Sequence, residues 1–173
     1  EAVVNNAVNG CDAVAHFAAQ VSVPRSVEHP QETMEVNVGG TSTILRACQN
    51  HGVNRFVMAS SAAVYGTKDD FPLHERHAGT FHSPYADSKW QNEHQVLLAK
   101  NAGMEAVALR FFNVYGAGQR SDGAYAAVVP KFIEMALAGR AATIFGDGQQ
   151  TRDFVHVDDV AGAVLMLATQ PWE

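Results

Sequence analysis

Short apolar runs alternate with longer stretches whose apolar residues recur at helical spacing, and this alternation restricts the chain more than any other feature. DAVAHFAA (12–19) reads as a buried strand running into a loop of small residues. TMEVNVGGTSTILRACQNHG (33–52) reads as a helix, with Val36, Ile44, Leu45 and Cys48 on one face and Gly52 as its stop. RFVMASS (55–61) is a second strand, and a polar, His-rich loop (67–82) follows. Pro84 then opens a helix to about Gly103, since the missing N–H of proline would be unpaired in a first turn anyway. MEAVALRFFNV (104–114) is strand, VVPKFIEMALAGR (128–140) helix, TIFG (143–146) a short strand and VDDVAGAVLMLATQ (157–170) a last helix. Strand, helix, strand, helix, strand is the order of βαβ units, so we expect an α/β fold with a doubly wound, Rossmann-like, mostly parallel sheet. The region after about Arg120 is less regular. The expected division is a doubly wound domain over 1–120, incomplete as given, and part of a smaller lobe over 121–173, interleaved with the last elements of the sheet.

Ligands of such sheets bind outside the carboxyl ends of the strands. That rule gives the chemistry-bearing residues one address: Ala18 and Ala19 follow the first strand, Ser60 and Ser61 the second, and Asn113 the third. Composition removes other classes. With a net charge of −6 and no basic cluster, the chain is a poor partner for nucleic acid or an anionic membrane. No apolar run is long enough to span a bilayer, and no signal peptide opens the chain. Cys11 and Cys48 lack metal-ligand spacing, and a chain that is 47% hydrophobic needs no disulfide staple, which points to a reduced, cytoplasmic setting.

Within SPYADSKWQNE (83–93), Tyr85 and Lys89 stand at i and i+4 and share a helix face. A cation beside a phenol favours phenolate, and moving a tyrosine from about 10 to about 7 takes roughly 4 kcal/mol of differential interaction. The result would be a general base usable near neutrality. Taken alone the pair is a common coincidence on a solvated helix. Joined to Ser61 at a strand end, where the hydroxyl can meet an oxygen opposite Tyr85, it becomes specific. GAGQRS (116–121) imitates a dinucleotide fingerprint, but no helix of small residues follows, so it reads as a turn. Asp69 and Asp70 read as a solvated pair, His74, His77 and His82 as scattered loop residues, and Phe111 and Phe112 as core.

HFAAQVSVPRSVEHP, EVNVGGT, SSAAVYG, PYADSK, RFFNVYG and GDGQQTRDFVHVDD resemble, in order and spacing, the extended short-chain dehydrogenase/reductase family. Within it they are most similar to the NAD-dependent nucleotide-sugar epimerases of the UDP-glucose 4-epimerase kind. The resemblance implies Tyr85 as the base for a sugar hydroxyl, and Lys89 lowering its pKa and holding the nicotinamide ribose. Ser61 would hydrogen-bond the reacting oxygen. Phe17, Ala18, Ala19 and Ser60 would line the NAD site together with Tyr85 and Lys89. Asn113 and Arg152 would meet the diphosphate of a nucleotide sugar, a task that suits the guanidinium fork. The bland alternative for Arg152 is an ion pair with Asp153 or Asp158. Ser22, Val23 and Arg25 would line the sugar side. Asn37, Tyr115 and His156 are expected to be structural, and a homodimer is expected.

One position separates reactions within that family. Its 4,6-dehydratases carry an Asp-Glu pair directly after the active-site hydroxyl residue, where this chain has Ala62 and Ala63. Elimination then lacks its acid and base, whereas oxidation and re-reduction at one carbon needs neither. Transient oxidation at C4, with return of hydride to the opposite face, is therefore the expected reaction. A related epimerase or reductase, or a non-catalytic nucleotide-sugar sensor, is the alternative. The Gly-x-x-Gly-x-x-Gly turn of the family and its ribose-binding acid are not in these residues, so NAD over NADP rests on the resemblance. The chain reads as a segment of a longer polypeptide, expected by itself to bind NAD weakly and to lack turnover.

Overall fold

The computed structural model describes residues 1–68, 71–121 and 127–172. The Asp69–Asp70 pair lies outside the described residues. Two compact units emerge, one formed by Glu1–Phe111 with Ala163–Glu173, the other by Phe112–Gly162. The division falls at Phe111, before the expected boundary at residue 120, and the chain returns to the first unit at Ala163.

The first unit is built on a parallel three-stranded sheet, β1 (Val14–His16), β2 (Arg55–Ser61) and β3 (Glu105–Phe111), with β2 central. Register aligns His16 with Met58 and Ser61 with Phe111, so the carboxyl ends of the strands share one edge. The apolar run of β2 is the sequence signature of a strand buried on both faces. Alternation sends Phe56, Met58 and Ser60 one way. There Phe56 and Met58 join Val8, Leu45, Cys48, Val96 and Ala106 in the core, from α1 (Ala2–Val8), α4 (Gly40–His51) and α5 (Pro84–Asn101). Each such side chain contributes about 1.5–3 kcal/mol by leaving water. On the other parity Arg55 pairs with Glu105 and donates to the carbonyl of Ala168, near the end of α7 (Val157–Thr169).

Helix α4 ends where Gly52 takes the left-handed conformation at φ +69°, the stop read from the sequence. Helix α5 starts as expected, with Pro84 in its first turn and the Ser83 hydroxyl accepting from the Ala86 N–H at 3.2 Å. The helix expected over 33–52 is instead three pieces: α3 (Pro30–Met34), a π-helical turn at Glu35–Gly39, and α4. HFAAQVSVPRSVEHP, which carried no helix in the sequence reading, contributes α2 (Val23–Glu28).

The second unit pairs β4 (Asn113–Tyr115) with β5 (Phe154–His156) in parallel and adds α6 (Val128–Leu137). Two expectations need correction. The single strand expected over 104–114 breaks at Phe112, so β3 and β4 belong to different sheets. TIFG forms no strand: Ile144 and Phe145 are exposed, and Gly146 and Gly148 at φ +72° and +75° bend the chain away from extension. The partner of β4 comes from Phe154–His156, where Tyr115 meets Phe154 and His156 edge to face. Tyr115 and His156 thus pack as expected.

Candidate active site

Ser61 is the last residue of β2, and its hydroxyl accepts from the Ala63 N–H at 3.1 Å, which starts the short 3₁₀ turn Ala62–Tyr65. The chain then needs Gly66. Its φ is +63°, and a Cβ there would stand 2.1 Å from the Thr80 carbonyl oxygen. The loop comes back through a 3.0 Å bond from the Gly79 N–H to the Val64 carbonyl, and Ser83 caps α5. This closed excursion returns Tyr85, in the first turn of α5, to the neighbourhood of Ser61, whose hydroxyl is close enough to the phenol to favour its ionised form.

Lys89, one turn further along α5, is 5% exposed and donates to the Ala59 carbonyl at 2.8 Å. Burial lowers its pKa to about 8. The Tyr85 phenol is pushed upward by burial, and the Ser61 hydrogen bond opposes that push. This differs from the expectation that Lys89 depresses it. The main-chain carbonyl of Ala59 engages the ammonium, and desolvation governs the phenol.

A polar seam supports the pair from below. Asn37 is 1% exposed, and its amide is saturated: Oδ1 accepts from the Gln20 N–H at 2.7 Å, while Nδ2 donates to the Gln20 carbonyl and to the Ser88 hydroxyl. The π turn around it brings this side chain between β1 and α5 and supports the structural role read from the sequence. Asn92 donates to the Asn37 carbonyl and to Thr41, whose hydroxyl lies 3.0 Å from His16 Nε2. Burial, reinforced by the Lys89 charge, holds His16 down to about 4.

Phe17, Ala18 and Ala19 leave β1 at the same edge of the sheet. Phe17 is 45% exposed and lies parallel to Phe111 at 6.0 Å, so Phe111 sits at the open end of β3 rather than in the core. An exposed ring, two small residues and a buried ammonium with donors to spare form an apolar wall with one cationic point. That donor set fits a nicotinamide riboside, whose diol accepts hydrogen bonds. Ser60, expected beside these residues, points instead to α5: its hydroxyl donates to Glu93. Glu93 and its partner Arg110 escaped the sequence reading, although Glu93 stands four residues after Lys89 on one helix face.

In the second unit the Asn113 amide donates to the Asp153 carbonyl at 2.9 Å, tying β4 to the start of β5. Arg152 is exposed and donates to the Thr151 carbonyl. Neither Asp153 nor Asp158 pairs with it, and Asp158 lies 3.5 Å from His156 instead. Gly116–Gln119 is a turn, as read, and with α6 it walls a cleft of about 380 Å³. In the first unit Ser22 caps α2 and Arg25 pairs with Glu32 at 2.8 Å. His74 and His77 cap one another. Among the described residues no group of three metal-ligating side chains forms, both cysteines are free, and no helix is long and apolar enough to cross a membrane.

A model of the NAD dependent epimerase/dehydratase family matches residues 1–173. A UDP-glucose 4-epimerase of Mycolicibacterium smegmatis is 41% identical over 156 residues, covering 89% of this chain and 50% of that protein. The structure of a UDP-N-acetylglucosamine 4-epimerase from Methanobrevibacter ruminantium M1, in complex with UDP-N-acetylmuramic acid, superposes with a TM-score of 0.93. It is 36% identical, with coverage of 98% and 55% of the two chains. A dTDP-glucose 4,6-dehydratase from Streptomyces venezuelae with NAD bound gives a TM-score of 0.82 at 32% identity, with coverage of 96% and 51%. The chain spans about half the length of the curated relatives it matches.

Proposed function

The chain belongs to the NAD dependent epimerase/dehydratase family, and from that premise we propose that it acts as a nucleotide-sugar 4-epimerase of the UDP-glucose/UDP-galactose type. One observation carries the reading: Tyr85 of α5 is brought to Ser61 at the carboxyl end of β2, with Lys89 a turn away and bonded to the Ala59 carbonyl, while the two residues after Ser61 are Ala62 and Ala63. The proton-transfer groups for oxidation at one carbon are present. The carboxylates that elimination requires are absent from the position where the dehydratases resembling this chain keep them.

In this reading Tyr85 takes the proton of the C4 hydroxyl, and Ser61 donates to the same oxygen as it becomes a carbonyl. Lys89 holds the ribose of the cofactor and adds positive charge as the phenol ionises. Phe17, Ala18 and Ala19 exclude water from one side. When bound, NAD supplies the acceptor and donor of hydride. Asn113 and Arg152 are assigned to the diphosphate, which stays anchored while the sugar turns. Inversion at C4 is complete when the turned sugar takes back, on its opposite face, the hydride that bound NAD would hold, and Tyr85 returns the proton to the C4 oxygen.

The test is Tyr85→Phe in the full-length protein loaded with NAD. Interconversion of UDP-glucose and UDP-galactose should fall by about 10²–10⁴-fold, while the melting temperature stays within a few degrees. Retained interconversion overturns the role of Tyr85. A 4-keto-6-deoxy product from the unaltered protein overturns the choice of epimerisation over dehydration. The same reading carries a homodimer in the cytoplasm, which light scattering and cell fractionation check.

A further inference from the structure

Behind Ser61, Tyr85 and Lys89 lies an ion pair that the mechanism leaves unused. Arg110 of β3 and Glu93 of α5 form a two-pronged bond, Nε to Oε1 at 2.9 Å and Nη2 to Oε2 at 2.7 Å. Their side chains are only 16% and 12% exposed. A half-buried ion pair is costly unless its remaining hydrogen-bonding capacity is used, and here three further hydrogen bonds use it. The Ser60 hydroxyl donates to Glu93 Oε1. Arg110 Nη1 donates to the Glu75 carbonyl at 2.8 Å and to the Tyr65 hydroxyl at 3.2 Å. The guanidinium also lies over the rings of Tyr65 and Trp90, at 5.0 and 5.9 Å.

These partners are not scattered. Ser60 precedes Ser61 on β2. Glu93 lies two turns beyond Tyr85 and one beyond Lys89 on α5. Tyr65 and Glu75 belong to the excursion that connects Ser61 to α5. One ion pair therefore joins central strand, outer strand, catalytic helix and connecting loop. We propose that Glu93 and Arg110 are positioning residues that fix α5 against β2, and so set how closely Tyr85 approaches Ser61, on which proton transfer depends. The proposal rests on the reading of Tyr85 as the base. It adds that the distance between Tyr85 and Ser61 is set by side chains that touch neither substrate nor cofactor. A small displacement at such a distance is expensive, since about 1 Å of misplacement can cost roughly 10²-fold in rate.

Ser61 from β2 faces the Tyr85 phenol; one turn further along α5 Lys89 faces the Ala59 carbonyl, and its charge acts on His16 from β1. Burial pushes the phenol upward and Ser61 opposes that push, so drawing Tyr85 away from Ser61 while the phenol stays buried removes the opposing contact. The Tyr85 titration should then move upward.

The experiment uses the full-length, NAD-loaded protein with ring-¹³C tyrosine, the Tyr85 signal being identified by its loss in Tyr85→Phe. In Glu93→Gln the Tyr85 midpoint should rise by about half a unit to one unit, the equivalent of one lost hydrogen bond. kcat should fall about 10-fold or more, with KM for the nucleotide sugar within roughly twofold. Arg110→Lys keeps the charge and loses the fork, so it should shift both readouts in the same direction, and it serves if Glu93→Gln does not fold. A folded variant with an unmoved Tyr85 midpoint and unchanged kcat overturns the proposal. If the unaltered protein fails to interconvert UDP-hexoses, the function reading falls, yet an upward Tyr85 shift in the variants still upholds the positioning role. An unmoved midpoint in either variant refutes it regardless of activity.

Discussion

The Lys89 ammonium donates a 2.8 Å hydrogen bond to the main-chain carbonyl of Ala59, in surroundings dry enough to lower its pKa to about 8. A lysine so placed ties α5 to the central strand two residues before Ser61. It also makes the folded protein a weaker proton acceptor than the unfolded chain, whose lysine titrates near 10.5.

Between those two values the unfolded chain binds the extra proton and the folded one does not. Stability contributed by this group therefore rises with pH from about 8 to 10.5 and is lost again as pH falls through 8. The whole span is worth about 3 kcal/mol. Lys89→Met should remove that upward slope. Denaturant unfolding of the cofactor-free protein and this variant across the window checks it, and parallel curves would exclude Lys89 as the source.

His16 behaves in the same sense at lower pH. Its pKa is lowered from 6.5 to about 4 by burial and by the charge of Lys89. The stability it contributes is complete above 6.5 and disappears as pH falls through 4. His16→Gln should make the acid side of the stability profile shallower by up to about 3 kcal/mol, read from unfolding midpoints between those pH values.

Gly66 is the residue on which the return of Tyr85 to Ser61 turns. Alanine there would face the Thr80 carbonyl oxygen at 2.1 Å and hold a positive φ. Since the obstacle is backbone, relaxation must move the loop. Gly66→Ala should cost roughly 2 kcal/mol or more, visible as a lower melting temperature, and lower kcat as well. A variant that melts and turns over like the parent would show that the loop has slack.

Arg152 is exposed and engaged only by the carbonyl of Thr151 among the described residues, so its removal should leave stability untouched. Arg152→Gln should raise KM for the nucleotide sugar by about 10–100-fold, the worth of one charge-assisted contact. Equal KM in steady-state kinetics, or a clear drop in melting temperature, would return Arg152 to a structural role.

Much of this was legible in residue order. The run RFVMASS matched β2 residue for residue, because a strand buried on both faces must be apolar throughout. Gly52 and Pro84 marked helix ends through backbone rules that act within a few residues. The Tyr85–Lys89 spacing and the place of Ser61 at a strand end were visible for the same reason, because both are local facts. Asn37 was correctly set aside as structural. Tertiary contact decided the rest. TIFG has the composition of a strand, but Phe154–His156 pairs with β4 instead, and which segment wins a sheet edge depends on residues far away in sequence. The upward shift of Tyr85 depends on how much water the surrounding elements exclude, which spacing does not encode. Glu93 and Arg110, separated along the chain, become one unit only when α5 lies across β2 and β3. Sequence determined the elements and the chemical groups they carry, because those follow from local backbone and side-chain physics. The fold alone decided their desolvation and their partners, because both are set by groups distant in the chain.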